Sequence, residues 1–351
     1  MVRFSRNMFL NTKKTIILTP QKNKIICHYI IYCIMTTSIQ DVIEHIYKHL
    51  KNTKGGKNAS YIPDLKKVNP NSYAISVYTI HGESYNIGMY DKEFALESAS
   101  KVFSLALALK EKGIAKIKQM IGTEQTQSVF NSVAAIEESA NHTLNSFENG
   151  GAMATTSVSY EKNKSKFEKK IFDNMSNFAG RRLTYSRAVY NSEYDNSDHN
   201  RAIAYLLKSY KRFYGDVEDT LSVYTKQCST LVTSKDVAIM AATLANGGVN
   251  PKTGVRAVDA KYIPYILTHM VANGMYEYSE TWLTNVGLPA KSGVGGVILI
   301  VVPGVMGIGI ISPPLDEHGN SVKGIKTAEA LSKMLGLGIF KQHPQSSCNN
   351  L

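Results

Sequence analysis

The 351-residue chain has only four cysteines, which excludes a disulfide-stapled scaffold. Cys27 and Cys33 lie near the start, Cys228 lies mid-chain and Cys348 near the end; no C-x-x-C or Cys/His cluster has metal-ligand spacing. Reduced thiols and no metal or cofactor are therefore expected. No apolar run is long enough to span a bilayer; the most apolar stretch near the start, Ile25 to Ile34, has ten residues. No Arg-rich stripe with interleaved aromatics points to nucleic acid. Internal repeats are absent as well. Acid is missing from residues 1–34, whose six Lys and Arg supply half of the net charge of +12. That stretch lacks the small-residue cleavage site of a signal peptide. It reads as an extension outside the fold, disordered or not translated, with Met35 as the working start and the cytoplasm as the location.

With 43% hydrophobic and 19% charged residues, the composition is that of a globular protein. Ile39, Val42, Ile43, Ile46 and Leu50 have helical spacing. Tyr73 to Thr79 and Tyr85 to Met89 alternate around His81-Gly82 and read as a hairpin. Ala99 to Lys112 is a helix ending at Gly113. Residues 114–233 read as mostly helical, and 161–170 as a solvated charged face. Helices are expected at Ser234–Asn246, Ala260–Ala272 and Ile325–Leu335, with apolar strands at Val297–Val302 and Val305–Ile311.

Strands thus sit at both ends of the chain and helices between them. The expected fold is α+β: one antiparallel sheet, from about 60–95 and 285–340, covered by the first and last helices. A helical subdomain, about 114–285, is inserted. The whole forms a single catalytic domain, 35–340, followed by a tail, 341–351. A small-molecule site is expected in the cleft between sheet and subdomain.

A serine nucleophile needs a base within reach, and S-x-x-K sets the two side chains one helical turn apart. Two matches occur: Ser98-Ala99-Ser100-Lys101 and Ser159-Tyr160-Glu161-Lys162. The second Lys belongs to a charged face and stays protonated. The first opens an apolar helix, where burial lowers the Lys pKa and supplies a neutral amine. Taken alone, Ser98 reads equally well as a helix N-cap. Acyl-transfer enzymes with this motif also carry K-[ST]-G on a strand beside the nucleophile. Lys252-Thr253-Gly254 sits among turn residues, whereas Lys291-Ser292-Gly293 runs into the apolar strands. The second is the better candidate, and the backbone N–H of Val294 can complete an oxyanion hole with that of Ser98. Ser139-Ala140-Asn141 matches S-x-N, a pattern too short to inform.

Longer segments make the comparison specific: Tyr61-Ile-Pro-Asp-Leu65, Glu97-Ser-Ala-Ser-Lys-Val-Phe103, Tyr224-Thr-Lys-Gln-Cys-Ser229, Asn273-Gly-Met-Tyr276 and Gly287-Leu-Pro-Ala-Lys-Ser-Gly-Val-Gly-Gly296. Together they resemble the serine-dependent glutaminases, in the right order over about 36–340. The resemblance implies a β-lactamase-like fold and hydrolysis of L-glutamine to L-glutamate and ammonia. It implies that Ser98 is the nucleophile, Lys101 its base and Tyr276 a proton relay. It further implies that Tyr61, Asn149, Glu193, Asn200, Tyr224, Tyr276 and the Val294 backbone bind substrate, and that the protein is a homo-oligomer, dimer or tetramer. An acid for the substrate's ammonium and neutral donors for its carboxylate suit a zwitterion. The chain departs from the family around Asn145–Gly151, which lacks a Pro, and in the loop 122–127. Gly150 and Ser146 suggest a less rigid pocket wall there. The competing readings are a β-lactamase, penicillin-binding or esterase-type serine hydrolase, and a non-catalytic homologue.

Overall fold

The structure, a computed structural model, describes residues 38–123, 125 and 131–340. The expectations for residues 1–34 and the tail 341–351 lie outside the described residues. So do residues 124, 126 and 127 of the loop 122–127 and three of the cysteines; Cys228 is a buried free thiol.

Seven strands form among the described residues: β1 (Ala74–Thr79), β2 (Ser84–Gly88), β3 (Phe94–Ala95), β4 (Leu231–Val232), β5 (Ala290–Gly293), β6 (Val297–Val302) and β7 (Met306–Ile311). Five of them build an antiparallel sheet in the order β2-β1-β7-β6-β5. The expected hairpin is β1–β2, with Ala74 opposite Gly88 and Tyr78 opposite Ser84. The two ends of the chain meet where β1 pairs with β7, Ala74 opposite Ile311 and Thr79 opposite Met306. The expected apolar strands are β6 and β7. β3 and β4, two residues each, form a separate small ribbon; nothing so short has a periodic signal.

Both faces of β6 are buried, which is why it reads as a continuous apolar run. Its odd residues, Val297, Leu299 and Val301, join the core shared with the helical part of the chain. Its even residues, Ile298, Ile300 and Val302, join a second core beneath the first and last helices, Ile39–Leu50 and Val322–Leu335. The last helix begins before Ile325 because the Ser321 hydroxyl caps it, accepting from the Gly324 N–H.

The sequence assigned the sheet only these two covering helices. A third, Ser234–Ala245, covers the opposite face. It carries Ala238, Ala241, Ala242 and Ala245 and meets a strand of alternating glycine and isoleucine. A Cβ at Gly307 would lie 2.2 Å from the Ala238 carbonyl oxygen, and one at Gly309 would lie 2.2 Å from that of Ser234. Glycine under the helix and Ile308 and Ile310 on the other face let the two backbones touch. A capping box between Thr233 and Asp236 starts this helix.

The helical part holds Lys101–Ile121, Asn149–Val158, Lys164–Ala179, Arg187–Tyr194, Asp198–Ser209 and Val217–Cys228 among its longer elements. Gly113 breaks the first of these (φ 76°, ψ 165°), as expected, but a further helical run continues to Ile121. Phe103, Phe167 and Phe178 are fully buried at its centre. No helix among the described residues is long and apolar enough to cross a membrane.

Candidate active site

Ser98 sits in a 3-10 turn, Glu97–Ser100, that runs straight into the helix starting at Lys101. It is therefore inside a helical turn, and the N-cap reading falls: the cap position is Ser100, with no side-chain capping bond. The turn begins with strain. Glu97 has φ +52°, and Tyr276, across the site, has φ +56°. Left-handed backbone at non-glycine residues persists only where surrounding structure enforces it, and such residues gather at functional sites.

The enforcing structure is β5. A Cβ at Gly293 would lie 2.4 Å from the Leu96 carbonyl oxygen, and one at Gly295 would lie 2.3 Å from that of Ala95. The glycines of Lys291-Ser-Gly-Val-Gly thus bring the strand against the backbone of the serine turn. Gly274 does the same on the far side of β5: a Cβ there would lie 1.7 Å from the Ala290 carbonyl oxygen. Ser292 N–H donates to the Gly274 carbonyl at 3.1 Å. Asn320 Nδ2 donates to the Met275 carbonyl, and Ser279 Oγ to that of Tyr276. Tyr276 is so held with its hydroxyl close to the side chains of Ser98 and Ser292.

Lys101 is wholly buried. Its Nζ donates to the Phe147 carbonyl at 2.9 Å and to Asn149 Oδ1 at 2.7 Å. Asn149 in turn donates through Nδ2 to Asn200 Oδ1 at 3.1 Å. Burial pushes the Lys101 amine down to about 8, against the pull of Cys228, Glu148, Glu193 and Glu97. Lys291 is also wholly buried. Its Nζ lies 4.1 Å from the centre of the Tyr276 ring and donates to the Ser292 carbonyl. Burial and the nearby Lys101 push it well down. The second S-x-x-K is different in kind: Ser159 is the buried C-cap of a helix and Lys162 is exposed. Lys252-Thr253-Gly254 lies in a surface turn.

A cavity of about 220 Å³ opens beside Ser98. Its lining includes Tyr61, Ser98, Asn149, Glu193, Asn200, Tyr224 and Val294. These are the expected binding residues, contributed by five helical elements and two loops, with Tyr276 beside Ser98. Tyr61, more than half exposed, forms the rim. Glu193 is pushed up to about 8 by burial, against the attraction of Lys101. The volume falls below the 300–1,000 Å³ of typical drug-sized pockets and suits a small amino acid.

The wall at Asn145–Gly151 is not the loose segment its composition suggested. Asn145 Oδ1 accepts from the N–H groups of Phe147 and Glu148. A Cβ at Gly151 would lie 1.9 Å from the Asn145 carbonyl oxygen, and Ser146 is buried. Close packing replaces the ring of a proline there.

Three site residues went unassigned from sequence. Glu97 and Cys228 line the cavity, and Glu148 lies close enough to pull on both buried amines. Burial pushes Glu97 and Cys228 well up, with Glu193 adding to both, and pushes Glu148 up against the two lysines. The one available signal was an acid flanking a serine in an otherwise apolar stretch.

A family model described as Glutaminase matches residues 56–340. "Glutaminase 1" of Shigella flexneri is 44% identical over 303 residues, covering 86% of this chain and 98% of that protein. A "Glutaminase" of Colwellia psychrerythraea is 43% identical over 302 residues, covering 86% and 97%. Among solved structures, the probable glutaminase ybaS superposes with a TM-score of 0.84 at 44% identity, covering 86% of this chain and 98% of that one. Mglu in its glutamate form gives 0.82 at 34%, covering 87% and 70%.

Proposed function

The chain belongs to the glutaminase family, and on that footing we propose that it hydrolyses L-glutamine to L-glutamate and ammonia through an acyl-enzyme on Ser98. The observation that carries the mechanism is the convergence of Ser98, Tyr276 and two pKa-depressed buried amines beside an amino-acid-sized cavity.

Ser98 Oγ attacks the side-chain amide carbon of glutamine. Its proton passes through the Tyr276 hydroxyl to the neutral amine of Lys101. The oxyanion rests on the backbone N–H groups of Ser98 and Val294. Collapse breaks the C–N bond, and the proton taken from Ser98 leaves on ammonia. Water then attacks the ester, gives its proton to the same base, and Ser98 recovers a proton as glutamate departs. At the other end Glu193 takes the α-ammonium, while Asn149, Asn200, Tyr61 and Tyr224 orient the carboxylate and the chain. The expectation of a homo-oligomer rests on the resemblance to the family alone.

The test is glutamine-dependent ammonia release. Ser98→Ala should lower the rate by at least about a thousandfold while the fold is retained, and Ser159→Ala should leave it unchanged. Substantial turnover by Ser98→Ala would move the nucleophile elsewhere.

A further inference from the structure

One cluster in the cavity exceeds what amide hydrolysis requires. A carboxylate oxygen of Glu97, a carboxylate oxygen of Glu193 and the Cys228 sulfur all lie within 4.8 Å of one another. They come from the serine turn and from two separate helices, far apart in sequence. Glu97 is 2% exposed, and its Oε1 is buried with no hydrogen-bond partner; Glu193 Oε2 is in the same condition. Cys228, also 2% exposed, accepts a long 3.9 Å contact from Ser100 Oγ. Two acids and a thiol facing one another at such burial leave acceptor capacity that calls for a cation.

We propose that Glu97, Glu193 and Cys228 form a binding site for a borderline-soft divalent cation of the Zn²⁺ class. Two carboxylate oxygens and one sulfur match the donor types that such ions take, with the fourth position left to water from the cavity. Bond lengths of about 2.0–2.3 Å put tetrahedral donors about 3.5 Å apart, so side-chain rotations must close the cluster by about 1 Å. On binding, the thiol and the protonated carboxyls release their protons to solvent, and the ion is held by thiolate and carboxylates. A hard ion such as Mg²⁺ should be a poor occupant, since the site offers sulfur and incomplete octahedral geometry. Because Glu193 is shared, the ion excludes the substrate ammonium, and the site makes the enzyme sensitive to zinc. That last consequence rests on the glutamine-binding reading above; the ion site itself does not.

The experiment uses the full chain with Cys27, Cys33 and Cys348 changed to Ser, so that Cys228 is the sole thiol. The metal-free protein is titrated with Co²⁺ as a spectroscopic stand-in, read by the thiolate-to-cobalt charge-transfer band, and then with Zn²⁺ in competition. One equivalent should develop the band. Cys228→Ser should abolish it, and Glu97→Gln and Glu193→Gln should each weaken binding by at least the ~10–100-fold that even an outer-shell partner is worth. Circular dichroism confirms that each variant is folded, and three separate variants guard against failure of one. Absence of the band in the sole-thiol protein, or its survival in folded Cys228→Ser, would overturn the site. Saturating glutamine should displace the cobalt. A band unmoved by glutamine in a protein that still releases ammonia from it would sink the shared-Glu193 consequence and leave the site standing.

Discussion

Gly293 presses on the backbone of the serine turn: a Cβ there would stand 2.4 Å from the carbonyl oxygen of Leu96 and 3.3 Å from the amide nitrogen of Ala99. The nucleophile's position is therefore set by a strand almost 200 residues away. Gly293→Ala must push β5 from the turn, moving the Ser98 and Val294 amides apart. A shift near 1 Å costs about a hundredfold in rate. Steady-state assay should show kcat reduced by at least that much in a protein whose secondary structure is intact. Near-normal kcat would mean that the oxyanion site does not depend on this contact.

Lys101→Arg keeps the charge but supplies no base, because guanidinium stays protonated in proteins. It should be nearly inactive. In the wild type the base must be neutral, and Lys101 is pushed down to about 8. Activity is therefore lost as pH falls below about 8 and rises to a plateau above it. A near-wild-type rate in Lys101→Arg would reassign the base to Tyr276.

Glu193→Gln preserves shape and removes the charge assigned to the substrate's ammonium. Loss of one partner of a desolvated charge pair costs about 2–5 kcal/mol. KM for glutamine should rise steeply, while hydrolysis of an activated ester lacking the α-amino group changes little. Equal loss on both substrates would place Glu193 in the chemistry or in the fold.

Asp236 joins the capping box of the helix behind the sheet to Arg181, whose Nε and Nη2 donate to it at 2.9 and 2.8 Å. Burial pushes its carboxyl up, but hydrogen bonds from Arg181 and Thr233 outweigh that and hold it below the ordinary carboxylate value. Hydrogen bonds to charged groups contribute about 1.5–3 kcal/mol. Arg181 is about a third exposed, so solvent screening trims the cost of Asp236→Asn to about 1–2 kcal/mol. The lowered pKa means that this stability is present above the unfolded carboxylate pKa and disappears as pH falls through the folded one. The melting temperature of Asp236→Asn should sit a few degrees under the wild type at pH 7, with the gap closing in acid. A gap independent of pH would show that packing, not charge, is lost.

Local chemistry made several features legible in sequence. The β1–β2 hairpin, the apolar β6 and the break at Gly113 each depend on residues within a few positions of one another. The same holds for the choice between the two S-x-x-K matches, since apolar neighbours bury Lys101 and charged neighbours expose Lys162. Motif resemblance carried the rest of the expected site, because Tyr61, Asn149, Glu193, Asn200 and Tyr224 have no local feature that distinguishes them from ordinary surface or core residues.

Other features depend on backbone approaches between distant segments, for which no window of sequence carries a signal. The Ser234–Ala245 helix lies on the sheet because its alanines find Gly307 and Gly309, some 65 residues on. The serine turn takes a strained φ at Glu97 because Gly293 and Gly295 press against it. Glu97, Glu193 and Cys228 face one another because three helical elements end at one cavity. Composition and periodicity determine which residues are buried and which local element they form; only tertiary packing decides which buried polar groups meet, and desolvation at those meetings is what shifts their pKa values.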